Sequence, residues 1–320
     1  MMDGSGKAAG RNDLAHLEAI ALGIRRQVLS LTIERGGCYL SQACSSAEIL
    51  AVLFGEALNL GKSIAPLTPP VFAGVPKPGG AETWSGDAYL GPRRSNFDRF
   101  YLSPSHYCVA LYATLIEIGR LGRDSLALFN QDGSTLEMIG AEHSPGMGLT
   151  TGSFGQTLSQ VAGIALARRL RGETGRVWLF MSDGEFNEGQ VWESMAFAAI
   201  HRLTEISIVV DVNGQQVDGP TEDVFDMGDL SAKLTAFGAT VRNVDGHDIG
   251  VLLAAAQTKP IFGPLVILAY TDTARGIKVL ESRKPDLHYV TIRNERERGD
   301  LLACLHEMGV QSSNAEPHHA

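Results

Sequence analysis

The chain has 320 residues, of which 44% are hydrophobic, and carries a formal net charge of −9. This length is sufficient for one large α/β domain, and the acidic balance without a basic tract argues against nucleic acid as a partner. The four cysteines form no CxxC pair and therefore indicate reduced thiols rather than a disulfide framework. We find neither an apolar leader segment nor an apolar run of about 18 residues, and so expect a cytoplasmic protein that does not enter a membrane.

The N-terminal part of the chain is predicted to contain a disordered start and two helices. Residues 1–12 are polar and we expect them to be disordered, whereas residues 14–33 carry apolar side chains at helical spacing. A Gly-Gly pair follows and is expected to end that helix. Ser45 or Ser46 is predicted to cap a second helix that reaches about residue 58.

The segment 61–96 is rich in Pro and Gly and lacks periodicity, which predicts a long irregular insertion. Such an insertion covers a site or contacts a partner, and the sequence leaves these two alternatives open. Downstream, strand and helix patterns alternate, Asp248 is expected to cap a helix, and residues 311–320 form a polar tail. The predicted strands are 99–102, 177–181, 206–210, 239–244 and 264–271, and the predicted helices are 107–121, 156–171, 188–202, 232–237, 248–257 and 293–308.

Two of these strands, 177–181 and 206–210, end in polar turns that hold candidate ligands. Asp183 follows the first strand and Asn213 follows the second. The helix between them is long enough for a right-handed parallel crossover, so both strands should end at the same edge of the sheet. Adjacent strands lie about 4.8 Å apart, and ligands of open α/β sheets bind outside the carboxyl ends of the strands. We therefore predict that Asp183 and Asn213 contact one ion.

The chemistry of this pair favours a hard divalent cation. A carboxylate and an amide oxygen suit Mg²⁺ or Ca²⁺, and the backbone carbonyl of Gln215 is the natural third protein ligand. Gly184 removes a Cβ where the backbone must approach a phosphate. Either the Asp-Gly or the Asn-Gly pair by itself is typical of an ordinary turn. Their positions at the ends of two successive buried strands favour a metal site.

The same stretch resembles the thiamine-diphosphate motif of the transketolase family. The residues that match its Asp-Gly-x-x-x-Glu-Gly and Asn-x-x-x-x-Asp-Gly patterns are Asp183, Gly184, Glu188, Gly189, Asn213, Asp218 and Gly219. Ser182 departs from the pattern, since the family usually has Gly there. The resemblance implies a doubly wound α/β fold, with a mostly parallel sheet and helices on both faces, that binds thiamine diphosphate with Mg²⁺ or Ca²⁺. It also implies that Glu185 belongs to the cofactor-binding residues.

Three histidines are candidates for catalysis. His106, at the predicted start of a helix, matches the His of the family's Gly-His-Ala segment, with Ser105 in place of Gly. The resemblance implies that His106 approaches the diphosphate and the reacting centre. It also implies site roles for His143 and His288. A structural role at the helix start is the alternative for His106, and a plain surface histidine is the alternative for His288.

The segment before the predicted helix 156–171 is rich in glycine. Its sequence at residues 150–156, Thr-Thr-Gly-Ser-Phe-Gly-Gln, resembles the family's Thr-Gly-x-Leu-Gly-Gln segment. A helix N-terminus offers free N–H groups and the positive end of the helix dipole, both of which favour phosphate. The resemblance implies that Gly152 and Phe154 contact the cofactor.

The resemblance covers about residues 14–290 and implies a diphosphate-binding domain over residues 13–310. The family's second domain, which binds the aminopyrimidine ring, is expected on a separate C-terminal-type chain, in an α2β2 heterotetramer. The implied function is a thiamine-diphosphate- and Mg²⁺-dependent transfer of a ketol or acyl unit from a ketose or 2-oxoacid donor to an acceptor, with formation of a carbon–carbon bond. A non-catalytic scaffold or regulatory subunit that keeps the fold is the alternative.

A second departure from the family concerns the donor. The family usually has Gly-His-x-Gly near the end of the first helix, and that His contacts the sugar donor. Here residues 36–42 read Gly-Gly-Cys-Tyr-Leu-Ser-Gln and contain no His. We therefore expect a donor other than a common ketose phosphate.

Overall fold

The computed structural model describes residues 11–72, 74 and 85–315 of the chain. In that part, the strands form one five-stranded sheet and two short two-stranded ladders. The strands are β1 (Gly37–Cys38), β2 (Arg99–Leu102), β3 (Val177–Ser182), β4 (Ile206–Val212), β5 (Gln215–Gln216), β6 (Gly219–Pro220), β7 (Thr240–Asp245), β8 (Leu265–Tyr270) and β9 (Val290–Thr291). The α-helices are α1 (Arg11–Arg35), α2 (Leu40–Val52), α3 (Cys108–Glu117), α4 (Gln156–Leu170), α5 (Gly189–Ile200), α6 (Thr221–Phe225), α7 (Leu230–Ala236), α8 (Ile249–Ala256) and α9 (Glu295–Ala315).

The five-stranded sheet is parallel throughout and forms the centre of the molecule. Its strand order is β2-β3-β4-β8-β7. β3 and β4 pair from Val177 opposite Ile206 to Ser182 opposite Asp211, and β4 pairs on its other side with β8. These central strands are buried on both faces, which explains why the sequence shows continuous apolar runs rather than alternation. The predicted parallel crossover between β3 and β4 is confirmed.

Side chains alternate along each strand and therefore enter two separate hydrophobic cores. Trp178 and Phe180 of β3 point into the core that α1, α2, α3, α8 and α9 cover. Leu179 and Met181 point into the opposite core, which α4, α5 and α7 cover. Helices thus pack on both faces of the sheet, and the predicted doubly wound α/β fold is confirmed.

The N-terminal helices begin earlier than the sequence pattern predicts. α1 begins at Arg11, inside the segment predicted to be disordered. α2 begins at Leu40, so the prediction that Ser45 or Ser46 caps it is wrong. Ser46 Oγ instead donates to the carbonyl of Gln42 at 2.6 Å, a bond that serine makes inside helices. α2 is buried along its whole length, and its start is therefore determined by packing rather than by a polar cap.

The segments predicted to be irregular lie partly outside the described residues. Those outside are 1–10, 73, 75–84 and 316–320. In the predicted insertion at 61–96, the described residues contain one short 3-10 helix, Gly86–Leu90, and are otherwise irregular. At the C-terminus, α9 continues to Ala315, so residues 311–315 of the predicted polar tail are helical instead.

Candidate active site

The carboxyl ends of β3 and β4 are joined through the side chain of Asp183. This residue begins a 3-10 turn directly after β3, and Asn213 directly follows β4. The backbone N–H of Gly214 donates to Asp183 Oδ2 at 3.1 Å, and the N–H of Gly184 donates to Oδ1 at 2.9 Å. The two turns predicted to share an ion therefore lie in direct contact.

A cavity of about 210 Å³ lies at this edge of the sheet. Most of the residues predicted to form the site line this cavity, whereas Gly152, Glu185 and His143 do not. Those that line it are His106, Phe154, Asp183, Gly184, Asn213, Gln215 and His288. The structure therefore brings together residues that are up to 182 positions apart in the sequence, as His106 and His288 are.

Two of the three predicted residues that do not line the cavity lie directly beside the turns that form its wall. Glu185 is fully buried, accepts from the Ser182 N–H at 3.1 Å, and accepts from Ser103 Oγ at the end of β2. Burial raises the pKa of Glu185 to about 7, although these hydrogen bonds lower it. Gly152 has a φ of +95°, and a Cβ there would lie 2.4 Å from Ser105 Oγ. Glycine is therefore required where this loop passes the turn that carries His106.

His143 is the predicted site residue that the structure places elsewhere. Its Nε2 lies 3.0 Å from Glu137 Oε2, and its ring lies 4.4 Å from the ring of Phe72 between centroids. These contacts hold the imidazole against the segment that includes Phe72, away from the cavity lining. Its site role stays a prediction that the geometry does not favour.

The cavity wall carries negative and neutral groups but no cationic side chain from the described part of the chain. Burial, and next the neighbouring Asp211, raises the pKa of Asp183 to about 7, against the effect of the N–H donors of Gly214 and Gly184. A divalent cation beside this carboxylate would favour its ionised form. An anionic ligand in this cavity would also need such a cation to neutralise its charge.

Several residues that line the cavity carry a buried polar atom without a hydrogen-bond partner among the described residues. These atoms are Ser41 Oγ, Gln42 Oε1, Asn187 Oδ1 and Gln216 Nε2. Buried polar groups are nearly always paired, so these atoms indicate a polar ligand. Asp183, Asn213 and Gln215 add a carboxylate, an amide oxygen and a backbone carbonyl, which are the ligands that Mg²⁺ and Ca²⁺ prefer. The donor set therefore fits a diphosphate held through a divalent cation.

A metal at this position would draw few charged ligands from the protein. No group of three or more His, Cys, Asp or Glu side chains able to hold a metal occurs within residues 11–72, 74 and 85–315. The predicted set of Asp183, Asn213 and the Gln215 carbonyl contains one carboxylate and is not a group of that kind. Mg²⁺ commonly takes its remaining ligands from phosphate oxygens and water.

Aromatic rings surround the two cavity histidines. The ring centroids of His106 and His288 are 5.1 Å apart, and the Tyr39 ring lies 5.6 Å from the first and 5.7 Å from the second. Burial, and next the nearby His288, lowers the pKa of His106 to about 3, and burial lowers the pKa of His288. Both imidazoles are therefore neutral at neutral pH. Sequence reasoning missed Tyr39, although it lies in the segment where the family has its donor-binding histidine.

Asp211 is the second residue that sequence reasoning missed. It is fully buried near the end of β4, and it accepts hydrogen bonds from Tyr107 OH at 2.8 Å and from Asn213 Nδ2 at 3.2 Å. Burial raises the pKa of Asp211, and its hydrogen bonds oppose that effect. The sequence feature that could have identified Asp211 is a carboxylate inside an otherwise apolar strand. Aspartate is rarely fully buried unless it is paired, so its presence there indicates specific partners.

Comparison with known proteins places this fold and site in a family. The family model described as transketolase, thiamine diphosphate binding domain, matches residues 88–261. A putative uncharacterized transketolase family protein, y4mO, of Sinorhizobium fredii is 34% identical over 84% of this chain and 88% of its own length. One of the subunits of an apulose-4-phosphate transketolase, from Actinobacillus succinogenes, is 29% identical over 85% of this chain and 90% of its own length. The chain therefore belongs to the transketolase family and contains its thiamine-diphosphate-binding domain.

Longer relatives match this chain over part of their length. Human transketolase is 30% identical over 85% of this chain, which covers 39% of that protein. The crystal structure of transketolase from Campylobacter jejuni superposes with a TM-score of 0.67 and 17% identity, over 96% of this chain and 48% of that chain. The chain thus spans about half the length of these transketolases or less, and the predicted thiamine-diphosphate-binding fold is confirmed.

The length and hydrophobicity of a helix determine whether it could span a membrane. In the part of the chain that the structure describes, no helix is both long enough and apolar enough to span a membrane.

Proposed function

We propose that this chain is the diphosphate-binding subunit of a transketolase-like enzyme. The reaction is the transfer of a ketol or acyl unit from a ketose or 2-oxoacid donor to an acceptor, with formation of a carbon–carbon bond. One observation carries the proposal: the cation ligands Asp183, Asn213 and Gln215 line the same cavity as His106 and His288. Membership of the family supports thiamine diphosphate as the cofactor.

The binding roles follow from the chemistry of the cavity wall. Asp183, the Asn213 amide oxygen and the Gln215 carbonyl would hold Mg²⁺ or Ca²⁺, which neutralises the diphosphate. α4 begins after Gly155 without a side-chain cap, and the Gln156 N–H donates to the Ser153 carbonyl at 3.3 Å. The next N–H groups of the first turn would therefore be the ones that meet an anion. Phe154 precedes that helix start and lines the cavity, where its ring would pack against the cofactor.

The catalytic roles belong to the neutral histidines. Thiamine diphosphate, when bound, supplies the carbon centre that takes up and releases the transferred unit. His106 and His288 each keep one donor and one acceptor nitrogen, and can give or take a proton at a substrate hydroxyl or carbonyl oxygen. His143 lies against Glu137 instead, so we assign the proton transfers to the other two histidines.

We also propose a partner chain that carries the pyrimidine-binding domain, in an α2β2 heterotetramer. Two observations support a partner. A relative matched along 90% of its length is named as one of the subunits of a transketolase. Phe154 and Val217 line the cavity, yet 36% and 67% of their surfaces are exposed, as expected of a cavity that another polypeptide covers.

The cytoplasm is the proposed location, because the cysteines of the described chain are free thiols.

The cation site can be tested by substitution of Asp183. The Asp183→Ala variant, with the partner chain present, should bind thiamine diphosphate with Mg²⁺ too weakly to detect, because the only carboxylate ligand is gone. Isothermal titration calorimetry measures this affinity. Asp223 is exposed on α6, whose first residue, Thr221, donates to Asp183 Oδ2 at 3.4 Å. Asp223→Asn therefore removes the same charge two residues beyond that contact and should bind as the wild type does. Undiminished binding of thiamine diphosphate with Mg²⁺ by Asp183→Ala would contradict the proposed cation site.

The donor proposal concerns the segment that precedes α2. Tyr39 lies beside His106 and His288, in the segment 36–42 that has no histidine. We propose a donor other than a common ketose phosphate. The purified complex should therefore transfer a two-carbon unit from xylulose 5-phosphate far more slowly than a transketolase does, in a steady-state assay with both enzymes side by side. Equal rates would refute this.

A further inference from the structure

Asp211 is fully buried, yet among the described residues none of its hydrogen-bond partners is basic. Its Oδ2 accepts from Ser45 Oγ at 2.5 Å, Tyr107 OH at 2.8 Å and Asn213 Nδ2 at 3.2 Å. Its Oδ1 accepts from Thr271 Oγ1. Burying a carboxylate without a cation is costly, and an apolar side chain would suit a central strand better. The carboxylate at this position therefore requires a reason other than stability.

The chemistry of the carboxylate determines the direction of the hydrogen bonds around it. Four donors, from Ser45, Tyr107, Asn213 and Thr271, are directed at the two oxygens of Asp211, so the carboxylate is the acceptor in each of these contacts. The hydroxyl of Tyr107 must therefore use its single hydrogen toward Asp211, and it can only accept from Asn213. Asn213 Nδ2 lies 2.9 Å from Tyr107 OH and 3.2 Å from Asp211 Oδ2. Both neighbours present acceptors, so the amide nitrogen faces them and the amide oxygen faces away.

The direction of the amide matters because Asn213 lines the cavity. Its Oδ1 lies on the side of Gln215, whose backbone N–H is 3.0 Å away. The reverse orientation would place the amide oxygen against a carboxylate oxygen and would turn two N–H hydrogens toward a cation. Only the observed orientation offers a cation ligand.

We propose that Asp211 is a positioning residue that keeps the Asn213 amide oxygen directed toward the cation, by one direct hydrogen bond and one relayed through Tyr107. This inference rests on the proposed function, because it requires a cation at Asp183 and Asn213. Groups that orient metal ligands in this way typically change metal affinity about 10–100-fold when they are replaced.

The test compares variants that break the contacts to Asn213 with variants that spare them. Asp211→Asn should weaken Mn²⁺ binding about 10–100-fold, because an amide at that position can donate as well as accept and no longer enforces one direction. Tyr107→Phe removes the relayed contact only and should weaken binding by a smaller factor. Binding is measured by calorimetry with Mn²⁺ as the probe, on the full chain with thiamine diphosphate and the partner chain present.

Matched controls remove other hydrogen bonds from the same carboxylate. Ser45→Ala and Thr271→Val each delete one donor to Asp211 but leave both contacts to Asn213. They should lower the thermal unfolding temperature of the metal-free chain without changing the Mn²⁺ affinity. If Asp211 had a purely structural role, the Mn²⁺ affinity would instead fall in proportion to the unfolding temperature in all four variants.

Failure of the inference can be distinguished from failure of the proposed function. A wild-type complex that binds no Mn²⁺ would overturn both. Wild-type binding together with unchanged affinity in Asp211→Asn would overturn the inference alone. If Asp211→Asn does not fold, the Tyr107→Phe variant tests the inference in its place. Unchanged Mn²⁺ affinity in Tyr107→Phe would contradict the hydrogen bond relayed through Tyr107.

Discussion

At the scale of single residues, burial determines the charge of the cavity histidines. The His106 ring is enclosed by Tyr107, Tyr39 and His288, at centroid distances of 4.8, 5.6 and 5.1 Å. Burial and the proximity of His288 together lower the pKa of His106 to about 3. A neutral imidazole can serve as either proton donor or proton acceptor, which suits a group that must exchange protons with a substrate.

We predict that His106 remains neutral from pH 8 down to about pH 5, because its folded-state pKa is about 3. As the pH falls, the unfolded chain takes up the proton first, at the ordinary histidine pKa of about 6.5. His106 therefore reduces the stability of the folded chain progressively below that pH. An NMR titration, with His106→Gln to assign the ring signal, should show no inflection in this range. An inflection above pH 6 would contradict the prediction.

At the scale of elements, a buried ion pair joins α1, α2 and the turn before α8. Arg25 of α1 lies 2.5 Å from Glu48 of α2, and His247 Nδ1 lies 2.9 Å from the same carboxylate oxygen. His247 Nε2 accepts from the backbone N–H of Asp272 at 2.8 Å, so the network also reaches the loop after β8. Burial raises the pKa of Glu48, but the hydrogen bond from His247 and the charge of Arg25 outweigh it and lower the pKa to about 2.

We predict that Glu48→Gln lowers the free energy of unfolding by about 3–5 kcal/mol at pH 7, because it leaves Arg25 buried without its partner. The stabilisation by Glu48 is complete above its unfolded pKa of 4.5 and is lost as the pH falls toward about 2. The difference between wild type and variant in urea unfolding should therefore shrink in acid. Glu281→Gln, which breaks a half-exposed pair with Lys284, is the control and should cost below about 1 kcal/mol. Equal losses in both variants would contradict the buried network.

At the scale of the whole molecule, the candidate site lies at an open edge of one sheet. The cavity is bounded by turns after β3 and β4 and by the segment that carries His288. We have proposed that a second chain covers this edge and completes the enzyme. Reconstitution with that second chain distinguishes an enzyme subunit from a non-catalytic scaffold, because only the enzyme subunit should then show turnover.

We predict no turnover by this chain alone and turnover once a pyrimidine-domain chain is added. The assay contains thiamine diphosphate, Mg²⁺ and a panel of ketose and 2-oxoacid donors. The Asp183→Ala variant with the same partner is the control and should be inactive. Turnover by the chain alone would end the two-chain proposal, and a reconstituted complex that binds cofactor without turnover would favour the scaffold.

The sequence by itself determined the features that depend on local pattern. The apolar runs of β3 and β4 and the helix between them predicted a parallel pair, and therefore that Asp183 and Asn213 would lie at one sheet edge. Asp248 was likewise predicted as a helix cap, and its side chain accepts from the Val251 N–H at 2.9 Å. Both predictions succeeded because the interacting groups are fixed by chain direction or by neighbouring residues.

Only the tertiary structure determined how the site is supported. Asp211 receives its hydrogen bonds from Ser45, Tyr107 and Thr271, which are 166, 104 and 60 positions away in the sequence. The same packing placed Ser45 inside a buried helix rather than at its cap, and brought Tyr39 against His288. No local pattern specifies such contacts, because they exist only after helices from distant parts of the chain pack against the sheet.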